Sequence, residues 1–465
     1  MSHQDKDCQT VRYNVAHLQL AMQWLLASVD WSGICFRKDC TWLPRQLVAT
    51  ALYWAWSDEG TLGERFFTAR KITAYLEDPQ QVFAESVQAF LKMLVRWTTS
   101  LAALVQAAFR QRMQVSLASR WCLHGFVLFG VDGSRVELPR TKSHEAAYSP
   151  SAKRKGKKHK QGKRRKARSA ADLKKAKTPL IWLTMLWHAG TGLPWSWRIG
   201  PTDSSEREHW MQMLPELPIE ALIAADAGYV GYDYARAVIA SQRHLLVRVG
   251  ANVRLLRKLG WVKESAGIVY LWPDYALRNE SPPVVLRLVV SHNGKHPVYL
   301  VTSVLSKQLL TDRQVIDLYR QRWGIELFFR HLKQTFQRRK LRSTNADNAR
   351  VELEWSLLGL WGMVLYAEVQ MVQQQIDPLR LSTACVLRAF RRMLRDYLHP
   401  VERHRTLKAL LCRALKDEYQ RQNKASRDYP CQKRRKPIGR PQINSASKIQ
   451  IANAKQLRKQ LLKKG

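Results

Sequence analysis

The sequence predicts a mixed α/β domain, a sheet with helices on its faces, set between two helical regions. Three observations predict it. Between residues 124 and 250, apolar strand-like runs alternate with segments of helical periodicity. Between 250 and 305 the helical segments drop out and short strand-like runs remain. Up to residue 120, and again from Thr311, apolar residues recur at helical spacing.

Residues 1–120 read as an N-terminal helical domain, on the runs VAHLQLAMQWLLASV, LVATALYWAWS and AFLKMLVRWTTSLAALVQAAF. A helix-turn-helix that grips DNA ends fits residues 43–75, and so does a packing unit with no DNA contact. The central domain is expected over 121–345. It opens with GFVLFGVDGSRVELP, an apolar run followed by alternation and hence a strand. A basic loop is expected over 152–176. Its stretch AKRKGKKHKQGKRRKAR, residues 152–168, has almost no apolar side chain and cannot pack a core. Many cations without base-reading geometry suit it to DNA backbone of any sequence. LIWLTMLWHAG and PWSWRIG follow as strands, and SSEREHWMQMLPEL as a helix capped by Ser204 or Ser205. ALIAADAGY is a buried strand ending in an acidic turn, YDYARAVIASQ a helix and HLLVRVG a strand. Over 250–305, GIVYLWP, VVLRLVV and HPVYLVTSVL form an all-β insertion closing on the sheet edge. DRQVIDLYRQRWGIELFFRHLKQTF reads as one long helix. The region 346–465 continues helical to about residue 420 and then becomes a basic, Pro/Gly-punctuated tail before a last Lys-rich helical stretch. DNA contact or dimerisation is its expected role. Gly-Arg-Pro at 439–441 fits a minor-groove hook or a solvated, disordered tail.

Charge narrows the function. The chain carries 77 Lys and Arg against 37 Asp and Glu, a net +40. Such a balance calls for a polyanionic partner, because each neutralised phosphate releases condensed counterions. A ribosomal protein would be shorter and poorer in tryptophan than this chain with its 17. A membrane-surface protein would show a basic amphipathic helix or a lipidation motif, and neither is clear. No run of about 18 apolar residues predicts a transmembrane helix, and the N-terminal MSHQDKDCQT has no signal-peptide core. The seven cysteines are scattered without a C-x-x-C pair, which reads as reduced thiols in a cytoplasmic protein, with neither a disulfide framework nor a zinc site.

Three acidic positions carry the chemistry. Tyr319, Arg322, Glu326 and Lys333 form Y-x(2)-R-x(3)-E-x(6)-K. At roughly 100° per residue these fall within about 60° of one another on a helix. The face borders the apolar stripe Leu318, Ile325, Phe329, Leu332 and Phe336. The same spacing would serve a solvated face with ion pairs. Asp226 ends the apolar run ALIAAD, where open α/β sheets keep their sites, with Gly228 expected to let the chain turn sharply. A simple N-cap or turn aspartate fits as well. Asp132 in FGVDGSRVELP is either the Asp-Gly of a hairpin turn or a carboxylate within one long strand, costly there unless a cation meets it. Three carboxylates from two strands and a helix would select Mg²⁺ or Mn²⁺. Two such ions can activate an attacking oxygen and stabilise a leaving one at phosphorus.

With these residues in hand, the chain resembles the DDE transposases of bacterial insertion sequences, of the insertion-sequence-four type with the Tyr-Arg-Glu-Lys signature. All four signature residues match in identity and spacing. The D-x-G-[YF] turn is matched by Asp226, Gly228 and Tyr229, and V-D-G-S surrounds Asp132. The resemblance covers about residues 125–345 well and the flanks loosely. It implies an RNase H-like catalytic core with the β insertion between the second aspartate and the glutamate. It implies Asp132, Asp226 and Glu326 as catalytic, metal-holding residues with two Mg²⁺ or Mn²⁺ ions. Tyr319, Arg322 and Lys333 would grip phosphates near the cleaved end. It further implies cut-and-paste transposition of double-stranded DNA through a hairpin, in a synaptic homodimer, in the bacterial cytoplasm and at the nucleoid when DNA-bound. A tight hairpin extrudes a base, and Trp272, then Trp261, are the expected stacking residues, although either also fits a core position. The basic segment 152–168 is a departure from the family pattern. Two rival functions stay open: a transposase-derived DNA-binding protein without catalysis, and a metal-dependent nuclease that cuts without joining.

Overall fold

The computed structural model describes residues 17–77, 85–150, 179–292, 296–395, 406–416 and 438–464. The basic segment 152–168 lies outside the described residues.

Among the described residues, ten strands form one sheet: β1 (Leu128–Glu137), β2 (Leu180–His188), β3 (Leu193–Gly200), β4 (Leu222–Ala225), β5 (His244–Val249), β6 (Arg254–Arg257), β7 (Ile268–Leu271), β8 (Val284–Ser291), β9 (Val298–Thr302) and β10 (Gln442–Ser445). Their order is β10-β6-β7-β8-β9-β5-β4-β1-β2-β3. β1, β2 and β3 pair antiparallel, while β1, β4 and β5 run parallel. The block β3-β2-β1-β4-β5, with β2 reversed, is the RNase H-like arrangement. β2 is buried on both faces along most of its length, which is why it reads as a nearly unbroken apolar run.

The helices are α1 (17–26), α2 (Pro44–Trp56), α3 (Leu62–Glu77), α4 (Val87–Ser116), α5 (Lys142–Tyr148), α6 (Glu206–Met213), α7 (Tyr232–Ala240), α8 (Asp274–Arg278), α9 (Asp312–Gln321), α10 (Gly324–Arg330), α11 (Ala346–Gln373), α12 (Thr383–Arg395), α13 (Leu407–Cys412) and α14 (Lys448–Lys464). Ser205, not Ser204, caps α6, its hydroxyl accepting from the Glu208 amide.

Three expectations are corrected. The insertion is not all β, because α8 stands between β7 and β8. The chain after 437 is not a solvated tail: β10 pairs parallel with β6, and the Ala251 amide donates to the Ile438 carbonyl at 3.1 Å. Gly250 makes room for this, since a Cβ there would meet Ile438 Cγ2 at 2.1 Å. The expected long helix over 312–336 is broken. Residues 322–323 interrupt it, and His331–Thr335 continue it as a π turn.

α2, α4 and α11 share a core with the sheet. The Trp56 indole donates to the Gly359 carbonyl at 2.7 Å, and the Trp355 indole donates to Thr98 Oγ1 at 2.9 Å. α2 is buried from Gln46 to Trp56, so in the 43–75 pair only α3 offers a surface, through Phe67, Lys71 and Tyr75. α11 is long and apolar enough to span a membrane by length and composition, yet 83% of its most apolar window is buried inside this fold.

One acidic residue in α11 gives a stability prediction. Burial pushes the Glu368 carboxyl up to about 8, against the opposing pull of Arg120 at 3.5 Å and of Lys416. Between its ordinary value and about 8, the folded chain keeps a proton that the unfolded chain releases, so stability falls as pH rises. Glu368→Gln removes that dependence. Its stability relative to wild type is expected to grow from pH 5 to pH 8 and then level off, read as Tm against pH. A difference that is flat over this range would contradict the assignment.

Candidate active site

Two strands and one broken helix bring the acidic side chains together. The parallel register of β1 and β4 pairs Val131 with Ala225, so one residue further on Asp132 comes level with Asp226. Asp132 lies within β1 and is not in a hairpin turn. β4 stops at Ala225 while β1 runs on to Glu137, which opens a crevice at the carboxyl end of β4. Asp226 begins the turn Ala227–Tyr229, but its side chain caps nothing there and is left to face the crevice. Gly228 does not play the expected role: its φ is not left-handed, and a Cβ there would meet nothing within 4 Å.

Glu326 arrives from α10, across the break. There the Arg322, Trp323, Ile325 and Glu326 amides each donate to the carbonyl three residues back, at 3.1–3.2 Å. Such a 3₁₀ turn eclipses side chains three apart. Arg322 accordingly stacks over Tyr319, its guanidinium carbon 5.7 Å from the ring centroid. Two glycines let this turn lie close to the sheet. A Cβ on Gly130 would touch Arg322 Cγ at 3.8 Å, and one on Gly324 would meet the Trp187 ring at 2.0 Å.

Arg322 sits at the centre of the acids. Its Nη2 donates to Glu326 Oε1 at 3.2 Å and its Nη1 lies 4.0 Å from Asp132 Oδ2. The Tyr319 hydroxyl donates to Asp226 Oδ1 at 3.5 Å. Burial raises the Asp132 carboxyl to about 6; the Gly133 amide and Arg322 pull it back, while Glu206 and Glu326 add to the rise. Burial also raises Tyr319 to about 12, with Asp226 adding to the rise and Arg322 opposing it. Arg322 is held more firmly protonated than usual, because Tyr319, Asp226, Asp132 and Glu326 together outweigh the cost of its own burial.

The other expected residues stand elsewhere. Lys333, in the π turn, has Glu137 and Arg339 as its charged neighbours, near the far end of β1. Trp272 is buried, its indole donating to the Ser281 carbonyl at 2.8 Å. Trp261 is half-buried against the core. An exposed aromatic next to Arg322 is Trp323, 59% exposed, its ring centroid 5.9 Å from the Arg322 guanidinium carbon. It shares with Tyr319, Arg322, Arg248 and Ser291 the wall of a groove of about 400 Å³. The signal for Trp323 was its place next to Arg322 in the signature. Glu206 was also missed. It reaches in from α6, and its own carboxyl is raised by burial.

The donor set suits a hard divalent cation in chemistry more than in present spacing. Among the described residues no three His, Cys, Asp or Glu side chains converge tightly enough to chelate one ion. Asp132 and Asp226 nevertheless face one crevice as oxygen donors, and Asp132 bears the cost of burial that a cation would relieve. Arg322 now occupies the space between Asp132 and Glu326.

Fold and site together define an RNase H-like protein with a carboxylate-centred crevice. Residues 124–361 match the family model described as Transposase DDE domain, and the chain belongs to that family. It is 28% identical over 265 residues to the transposase InsG of insertion sequence element IS4 from Escherichia coli (strain K12), a match covering 54% of each chain. The chain thus spans about half the length of the curated relative it matches. Among solved structures, a piggyBac transposase synaptic complex with hairpin DNA aligns over 89% of this chain and 88% of that one, at TM-score 0.40 and 10% identity.

Proposed function

We propose that this protein is a metal-dependent DNA transposase that cleaves at terminal inverted repeats of double-stranded DNA and joins the ends to target DNA. The observation that carries the reading is the meeting of Asp132, Asp226 and Glu326 around one arginine in a chain of this family. Asp132, Asp226 and Glu326 would hold two Mg²⁺ or Mn²⁺ ions, which when bound supply activation of the attacking oxygen and stabilisation of the leaving one. Arg322 compensates the acids in the free protein, and its guanidinium would pair with a DNA phosphate at the same site. Tyr319 orients Asp226 and then a phosphate oxygen, and Lys333 grips the backbone further out along β1. Trp323 offers an exposed face for a base extruded as a hairpin closes, and is better placed for that than the buried Trp272 or the half-buried Trp261. The basic segment 152–168 adds backbone attraction without sequence preference. The active form is a synaptic homodimer, working in the bacterial cytoplasm and at the nucleoid.

A mini-transposon assay tests this reading. Purified protein, a donor bracketed by the element's own inverted repeats and a target plasmid are expected to give joined products in Mg²⁺. Cleavage without joined products would favour the nuclease. Binding without cleavage would favour the catalytically inert DNA-binding protein.

A further inference from the structure

We propose that Glu206 and Arg207, the first two residues of α6, are positioning residues that hold Asp132 and Asp226 in register with each other. This rests on the proposed reading of the carboxylates as the reacting centre.

Arg207 acts on the Asp226 side. Its Nε donates to the Gly228 carbonyl at 2.6 Å and an Nη donates to the Val230 carbonyl at 3.0 Å. Its guanidinium carbon stands 5.1 Å from the Tyr234 ring centroid, which fixes the fork from below. Within the turn, the Tyr229 amide donates to the Asp226 carbonyl at 2.9 Å and the Tyr229 ring is buried, while Asp226 makes no side-chain cap and Gly228 is unhindered. The backbone two and four residues after Asp226 is thus also held from outside the turn.

Glu206 acts on the Asp132 side. Its carboxylate packs directly on Gly133, where a Cβ would meet Oε1 at 2.4 Å. Gly133 is also the residue whose amide donates to Asp132 Oδ1 at 2.9 Å. Glu206 faces the buried Tyr229 hydroxyl, which among the described residues meets no acceptor at full hydrogen-bonding geometry. One helical turn thus touches the backbone that follows each aspartate, and it touches neither carboxylate directly. The turn is firmly based, because Ser205 caps it and Trp210 and Met213 anchor the helix in the core.

The test uses the full chain. Outer partners of ligating carboxylates are worth about 10–100-fold in metal affinity or activity. Arg207→Ala is expected to raise the Mg²⁺ concentration needed for cleavage about tenfold, with DNA affinity within about twofold of wild type. Arg207→Lys, with one donor centre, should recover part of the loss. Amide hydrogen exchange over residues 226–230, measured without metal or DNA, should quicken about tenfold in Arg207→Ala while the core strands stay protected. A double-mutant cycle tests Glu206. Gly133→Ala should cost about 10–100-fold in wild type and less than about threefold in Glu206→Ala, because the methyl then has room. Unchanged exchange over 226–230 together with an additive cycle would overturn the proposal. If the wild type neither cleaves nor responds to Mg²⁺, the transposase reading fails, and the exchange measurement still decides whether Arg207 holds the turn.

Discussion

Gly324→Ala is expected to slow DNA cleavage about 100-fold and to destabilise the protein by about 1–3 kcal/mol. The added Cβ would fall 2.0 Å from one atom of the Trp187 ring and 2.4 Å from another. Trp187 is buried and lies against Gly130 on the neighbouring strand, so the indole has little room to yield. The helix must move instead, and Glu326 is two residues away on it. A displacement on the order of 1 Å is enough to cost about 100-fold in a preorganised site. Trp187→Leu supplies the control. In that background the added methyl has space, so Gly324→Ala should cost much less, read as cleavage rate and Tm together. An equal cost in both backgrounds would mean that the contact with Trp187 does not set the helix.

The largest effects belong to the carboxylates. Asp132→Asn, Asp226→Asn and Glu326→Gln are each expected to abolish nicking and strand transfer while leaving folding and end binding intact. The replacements are nearly isosteric, so packing changes little, and the charge that draws a divalent ion is lost. Binding should hold or tighten slightly, since an acid has been removed from a cleft that receives phosphate. A gel shift beside a cleavage reaction separates the two properties. A variant that still cuts would remove its residue from the reacting centre.

Much of this arrangement was legible in the sequence, for local reasons. Asp226 closes an apolar run, and an apolar run ending in an acid is what a buried strand opening onto a crevice looks like. Glu326 could be read from helical spacing, although the helix breaks at 322–323, and it is this break that stacks Arg322 over Tyr319. A fixed 100° step could not show that, because the tightening is made by contact with Gly130 and Trp187 of the sheet. The same step placed Lys333 in line with Glu326, whereas in the fold it stands with Glu137 and Arg339. β6 and β10 were missed because each is four residues long; β10 owes its place to β6, and β6 to its pairing with both β7 and β10. Glu206 and Arg207 left no signal at all, since their partners are 73 and 21 residues away and no period links them. Trp272 looked available in VYLWPD, but one hydrogen bond to Ser281 and the packing around it bury the ring. Burial of that kind is decided by the tertiary fold and cannot be read from a six-residue context.

Replacing each carboxylate by a thiolate tests the central claim most directly. Thiolate is a soft donor that Mg²⁺ binds poorly and Mn²⁺ tolerates better. Wild type is expected to cut end DNA in Mg²⁺ and in Mn²⁺ and not at all in EDTA. Asp132→Cys, Asp226→Cys and Glu326→Cys are expected to be inactive in Mg²⁺ and to recover measurable cutting in Mn²⁺, which would place each side chain on a metal ion. Cutting by the wild type in EDTA, or cysteine variants that cut as well in Mg²⁺ as the wild type, would contradict the account.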